Sequence, residues 1–99
     1  MDIIQTQKED VVILELTGRL DTITAPKLQD VITEISSKAV DFELDFAGVD
    51  YVSSAGLRVL LFGQKKTQTS GSTMKLKSVS QEVMEVFEIT GFSGMLTIE

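Results

Sequence analysis

A chain of 99 residues, 42% hydrophobic and 24% charged, is long enough for one packed core and too short for two. A formal net charge of −6, with no Cys and no His, excludes a basic nucleic-acid surface, disulfide scaffolding, thiol chemistry and imidazole catalysis or metal ligation. The first residues form no basic leader, and no apolar run approaches the ~20 residues of a membrane span, so the expectation is a cytoplasmic protein with no membrane insertion.

The stretch "IIQTQ" (3–7) reads as a weak strand and "VVILEL" (11–16) as a buried one, with "KED" between them as a hairpin turn. Gly18 is expected to break the second strand. Thr24 then caps a helix whose first turn tolerates Pro26. Ala25, Leu28, Val31, Ile32 and Ile35 lie at helical spacing, with Lys27, Asp30, Thr33 and Glu34 opposite.

"VDFELDF" (40–46) alternates strictly. Val40, Phe42, Leu44 and Phe46 face one way, and Asp41, Glu43 and Asp45 the other. A strand buried on both faces would not read so, and the sheet is expected to keep one open, polar face. "MKLK" (74–77) alternates too. If it neighbours the acidic strand, Lys75 and Lys77 stand across from the carboxylates.

From Ser54 to about Thr69 the pattern is helical, but the apolar residues fall on two sides. Leu57, Leu60 and Leu61 share one, and Ala55, Val59 and Phe62 lie roughly opposite. Such a helix is either buried twice or keeps a side for a partner. Gly71 turns the chain, and Ser80 caps a third helix over 80–90 with Glu82 in its first turn. Met84, Val86 and Phe87 read as core, and "GFSGMLTIE" as a short edge strand. The predicted order is β-β-α-β-α-β-α with a possible final strand: a single small α/β domain, with a mixed, mostly parallel sheet and helices packed on one face.

Ser53 and Ser54, between a strand-like "DFAGVDYV" and an apolar helix, admit several readings. A Ser oxygen here accepts from a free N–H of the first helical turn. The same helix end tolerates a phosphate, which makes both serines phosphorylation candidates. A nucleophile needs a base, and none is visible. "VSSAG" lacks the first Gly of a nucleophile elbow and "SSAGLR" the Lys of a P-loop. Asp41, Glu43 and Asp45 are better explained by a solvated strand face than by a metal site, so neither metal nor cofactor is expected. Asp50 reads as a turn residue after Gly48.

"GRLDTITAPKL" (18–28), "LDFAGVDYVSSAGLRVLL" (44–61) and "EVFEITGFSGMLTI" (85–98) fall in the order of a STAS domain, and the chain most resembles the bacterial anti-sigma factor antagonists over essentially all of 1–99. The resemblance implies a non-enzymatic regulator of transcription by partner switching. Such a protein binds an anti-sigma factor, commonly a serine kinase with a histidine-kinase-like ATPase fold, and so frees a sigma factor. Phosphorylation of the antagonist weakens binding, and a PP2C-type phosphatase restores it.

The family's usual run places the acceptor hydroxyl directly before the Gly. Here that position is Ala55, Ser54 matches the preceding Ser, and Ser53 replaces an Asp. Either the acceptor has moved to Ser54 or Ser53, or the chain is not phosphorylated. Asp21 and Thr22 match the family's partner-contact loop. The expected partner face is Asp21, Thr22, Ser53, Ser54, Ala55, Gly56, Arg58, Val59 and Phe62, with the Val59/Phe62 side as its apolar patch. The alternative is a non-switching STAS scaffold subunit of a transporter or other signalling complex, which needs no acceptor.

Overall fold

A computed structural model describes residues 1–99. Strands β1 (Asp2–Lys8), β2 (Val11–Leu20), β3 (Asp41–Val52) and β4 (Met74–Lys77) form one sheet in that order. β1 and β2 are an antiparallel hairpin, and β2, β3 and β4 are parallel. Parallel neighbours need crossovers, supplied by helices α1 (Ala25–Ser36) and α2 (Ser54–Ser70). Helix α3 (Gln81–Thr90) follows β4.

The alternation in β3 decides where the core sits. Phe42, Leu44 and Phe46 are fully buried beneath the helices, with Leu14, Leu16, Met74 and Leu76 from the flanking strands. Phe46 meets Phe87 of α3 edge to face, 6.3 Å between centroids. The other face of the sheet stays polar. Glu43 and Asp45 pair in register with Lys75 and Lys77, and Lys77 Nζ lies 3.2 Å from Glu43. The C-terminal Glu99 joins this row at 3.2 Å from Lys75 and 3.6 Å from Lys77. Both expectations for this face, open and charge-paired, are met.

Four local expectations change. Gly18 does not end β2. It takes φ +110° at a register shift against β3, and the strand runs on to Leu20. Asp50 is not in a turn, because β3 continues to Val52 and holds Asp50 exposed within it. Thr24 occupies the helix-cap position without capping through its side chain, which works in the preceding turn instead. The C-terminal segment forms a short 3-10 turn, Phe92–Gly94, and a single parallel bridge, Leu76 to Ile98, in place of a strand.

Candidate functional site

The ends of β2 and β3 and the starts of α1 and α2 converge at one edge of the domain. Parallel crossovers force this, since each strand delivers its C-terminus to the same edge and each helix begins there. The junction is held by backbone. Ser53 N–H donates to the Leu20 carbonyl at 2.9 Å, so α2 starts pinned to the end of β2. Gly56 makes the close approach possible. A Cβ there would lie 2.7 Å from Leu20 Cγ and 2.9 Å from Leu20 O.

The two serines have different jobs. Ser53 is the N-cap of α2: its backbone is extended, and its Oγ accepts from Gly56 N–H at 3.4 Å. Ser54 is the first helical residue and is exposed, and its hydroxyl takes no part in capping. Ala55 is half-buried against the core, while Arg58 is exposed one turn beyond Ser54.

Asp21 builds the adjoining loop. Its Oδ1 accepts from the backbone N–H groups of Ile23 (3.0 Å) and Thr24 (3.1 Å) and from Thr24 Oγ1–H (3.2 Å). The one Thr24 hydroxyl hydrogen is shared with the closer Arg19 carbonyl, to which it donates at 2.7 Å, and Thr24 Oγ1 accepts the Asp21 N–H at 2.9 Å. The Thr24 N–H bond, foremost, holds the Asp21 carboxyl below its ordinary range. Partial desolvation opposes it, and the Ile23 backbone N–H, the Thr24 hydroxyl and the Arg19 charge add to the lowering. Arg19 Nε lies 3.7 Å from Asp21, and its guanidinium sits 4.0 Å from the centre of the Tyr51 ring.

Asp21, Thr22, Ser53, Ser54, Ala55 and Arg58 therefore share one edge. A shallow groove runs between the two helix starts, lined by Thr22, Pro26, Gln29, Ala55, Arg58 and their neighbours. Two expected contact residues are displaced. Val59 is 4% exposed between α1 and α2, so it lines the bottom of this groove and forms no exposed patch. Gly56 is buried and positions its neighbours without presenting a surface of its own. Phe62 is half-buried and lies two turns down α2.

Sequence reasoning missed Ile23, 87% exposed at the tip of the loop, and the Arg19–Tyr51 stack beside it. An isolated Ile between two threonines in "DTITAP" was the available signal for the first. The second pairs residues from β2 and β3 that only the strand register brings together. No grouping of acidic residues here or elsewhere could hold a metal ion. No helix is long and apolar enough to cross a membrane.

Comparison with known proteins bears on the same region. The sequence model of a family described as "Mlab, STAS domain" matches residues 4–97. The anti-sigma-B factor antagonist of Bacillus subtilis (strain 168) is 26% identical over 92 residues, covering 93% of this chain and 84% of that protein. BtrV of Bordetella bronchiseptica, assigned to the anti-sigma factor antagonists, is 31% identical over 84 residues, covering 84% of this chain and 72% of that one. Among solved structures, tm1081 of Thermotoga maritima superposes with a TM-score of 0.88 at 24% identity, covering 97% of this chain and 84% of that chain. The antagonist SpoIIAA in its unphosphorylated form gives 0.76 at 14% identity, covering 99% and 87%. A fold match along nearly the whole length, a family match over 4–97 and antagonist relatives on both sides of 30% identity agree, and the chain belongs to the STAS domain family of anti-sigma factor antagonists.

Proposed function

We propose that this chain is an anti-sigma factor antagonist that binds an anti-sigma factor through the edge formed by the Asp21–Thr24 loop and the start of α2, and thereby frees a sigma factor. The observation that carries the reading is the preorganised edge itself. The loop is tied by four hydrogen bonds around Asp21 and Thr24. The helix start is pinned to β2, yet Ser54, Thr22 and Ile23 stay exposed between them. A surface ordered before binding loses less entropy on association.

Ser54 is the phosphorylation site in this proposal. Ser53 Oγ is engaged in the cap, whereas Ser54 presents its hydroxyl to solvent at the positive end of α2, with Arg58 one turn away. A phosphate there adds roughly −1.5 to −2 charges to the contact edge and alters the surface while sparing the fold. The partner is then a serine kinase with a histidine-kinase-like ATPase fold, and a PP2C-type phosphatase reverses the mark. Two measurements test this: capture of the anti-sigma partner by wild type and by Ser54→Asp, and mass spectrometry of segment 47–65 after incubation with kinase and ATP. Capture by wild type alone, with phosphate on Ser54, is expected. No capture of any anti-sigma factor by a folded wild type refutes the reading.

One observation favours a second reading, a non-switching STAS subunit of a transporter or other complex. Ala55 occupies the position before Gly56 and is half-buried, so it offers neither hydroxyl nor access. An unmodified 47–65 segment together with co-purification of an ATPase subunit would select it.

A further inference from the structure

The chain carries 15 acidic residues, and none of them lies in α2. That helix holds three cations, Arg58, Lys65 and Lys66, and all three are exposed without a carboxylate partner. Of the six cations elsewhere, four are engaged, Arg19 with Asp21, Lys38 with Glu34, and Lys75 and Lys77 with Glu43 and Glu99, while Lys8 and Lys27 stand singly on other elements. Positions 58, 62, 65 and 69 recur at four and three residues and lie along one side of the helix. Phe62 forms the apolar floor of this strip, with Lys66 Nζ 5.6 Å from its ring centre. A shallow depression there is lined by Phe62, Lys65, Lys66 and Thr69. The strip begins at Arg58, inside the edge already described.

We propose that this side of α2 is a docking strip for an acidic segment of the protein partner, seated lengthwise with an apolar side chain on Phe62 and carboxylates toward Arg58, Lys65 and Lys66. It deepens the antagonist reading and rests on it for the partner's identity. Charge complementarity selects the occupant. Three cations in a strip one helix wide, with an aromatic floor, are complementary to a narrow acidic segment, whereas the rest of a chain of net charge −6 repels a broad anionic surface. A flat anionic membrane would also press on α1, whose exposed side carries Asp30 and Glu34. Lys65 and Lys66 sit in the second half of α2, away from the Ser54 switch, and Arg58 joins the strip to it. The lysine end of the strip therefore keeps its charge whether or not the N-terminal contact is modified, and it supplies steering and register.

The test is an NMR titration of the isotope-labelled chain with a helix-forming peptide bearing Glu along one side and a single Leu, and with its Gln counterpart. Amide shifts over 58–69 are expected for the Glu peptide, weakening with added salt, and none for the Gln peptide. The Lys65→Glu/Lys66→Glu variant should bind roughly tenfold more weakly with an unchanged melting temperature, and Lys65→Gln by a smaller factor in the same direction. Equal response to both peptides, shifts centred elsewhere, or no response overturns the proposal. So does binding of phosphatidylglycerol vesicles that depends on Lys65 and Lys66 when the Glu peptide leaves the chain unmoved. The peptide is not an anti-sigma factor, so the two readings fail separately. A chain that takes the peptide but no anti-sigma factor keeps the strip and loses the proposed function. An anti-sigma factor that binds wild type and the double variant alike at low salt overturns the strip and leaves the function standing.

Discussion

Replacing Gly56 by Ala probes the joint on which the site depends. The added Cβ would stand 2.7 Å from Leu20 Cγ, 2.9 Å from Leu20 O and 3.1 Å from Leu20 Cδ2. Carbon atoms pack comfortably at roughly 3.5–4.0 Å, so a gap of about 1 Å must open. Leu20 is fully buried, so its side chain cannot swing out to solvent without unpacking its neighbours. Its carbonyl is held by Ser53 N–H, and its backbone pairs with Val52. The start of α2 must therefore lift from β2. Overpacking of this kind costs about 1–3 kcal/mol, and the helix preference of Ala over Gly returns about 0.5–1 kcal/mol. The net destabilisation spans about 0–2.5 kcal/mol and centres on about 1.3 kcal/mol, which for a domain of this size lowers the melting temperature by roughly 5–10 °C. Thermal unfolding followed by circular dichroism measures it. Gly94→Ala is the control, since nothing lies within 4 Å of its Cβ position and no positive φ is required. The lift also displaces Ser53 and Ser54, so partner affinity should fall in the same variant at temperatures where it remains folded. A Gly56→Ala melting temperature within about 2 °C of the Gly94→Ala control would refute the pinned-joint argument.

Other substitutions and pH separate the remaining parts. Ser53→Ala removes the cap of α2 and should cost about 0.5–1 kcal/mol in urea unfolding, since the bond is long at 3.4 Å, while Ser54→Ala should leave stability within about 0.5 kcal/mol. Ala39 is held at φ +54°, so Ala39→Gly should raise stability by about 0.5–1 kcal/mol in the same assay. Asp21, with a carboxyl depressed chiefly by the Thr24 N–H, contributes stability that is full above the ordinary carboxylate range and is lost as pH falls through its folded value. Asp21→Asn should flatten that part of an acid titration followed by NMR. Lys77, raised chiefly by its bond to Glu43, contributes below the ordinary lysine range and loses that contribution as pH climbs through its folded value, so Glu43→Gln should bring the Lys77 titration back down.

Much of this architecture is local and was open to reading from residues alone. Strict alternation over 40–46 fits a strand with one buried face and predicted the helix-covered and open polar sides, while the alternation of 74–77 set its lysines opposite the acids on the condition, met in the sheet, that the two strands are neighbours. The three helices and the candidate edge followed from caps, spacing and the family resemblance. The extent of β2 and β3 did not. Gly18 and Gly48 look like strand ends in isolation, but pairing between the two strands carries both chains through register shifts to Leu20 and Val52.

The division of labour around α2 shows what only tertiary structure could decide. Its sequence announces two apolar sides and says nothing of what covers either. The sheet took Leu57 and Leu60, and Leu61 was left half-exposed. Helix α1, entering from a separate part of the chain, covered Val59, and at Gly63 α2 lies so close to both α1 and β4 that a Cβ would meet Ile32 at 3.2 Å and Met74 Sδ at 2.7 Å. The expected Val59/Phe62 patch thus split into a core residue and the floor of an exposed basic strip. Periodicity reports which residues share a side of a helix. Whether that side meets a neighbour or solvent depends on contacts between segments distant in sequence, and no local pattern encodes them.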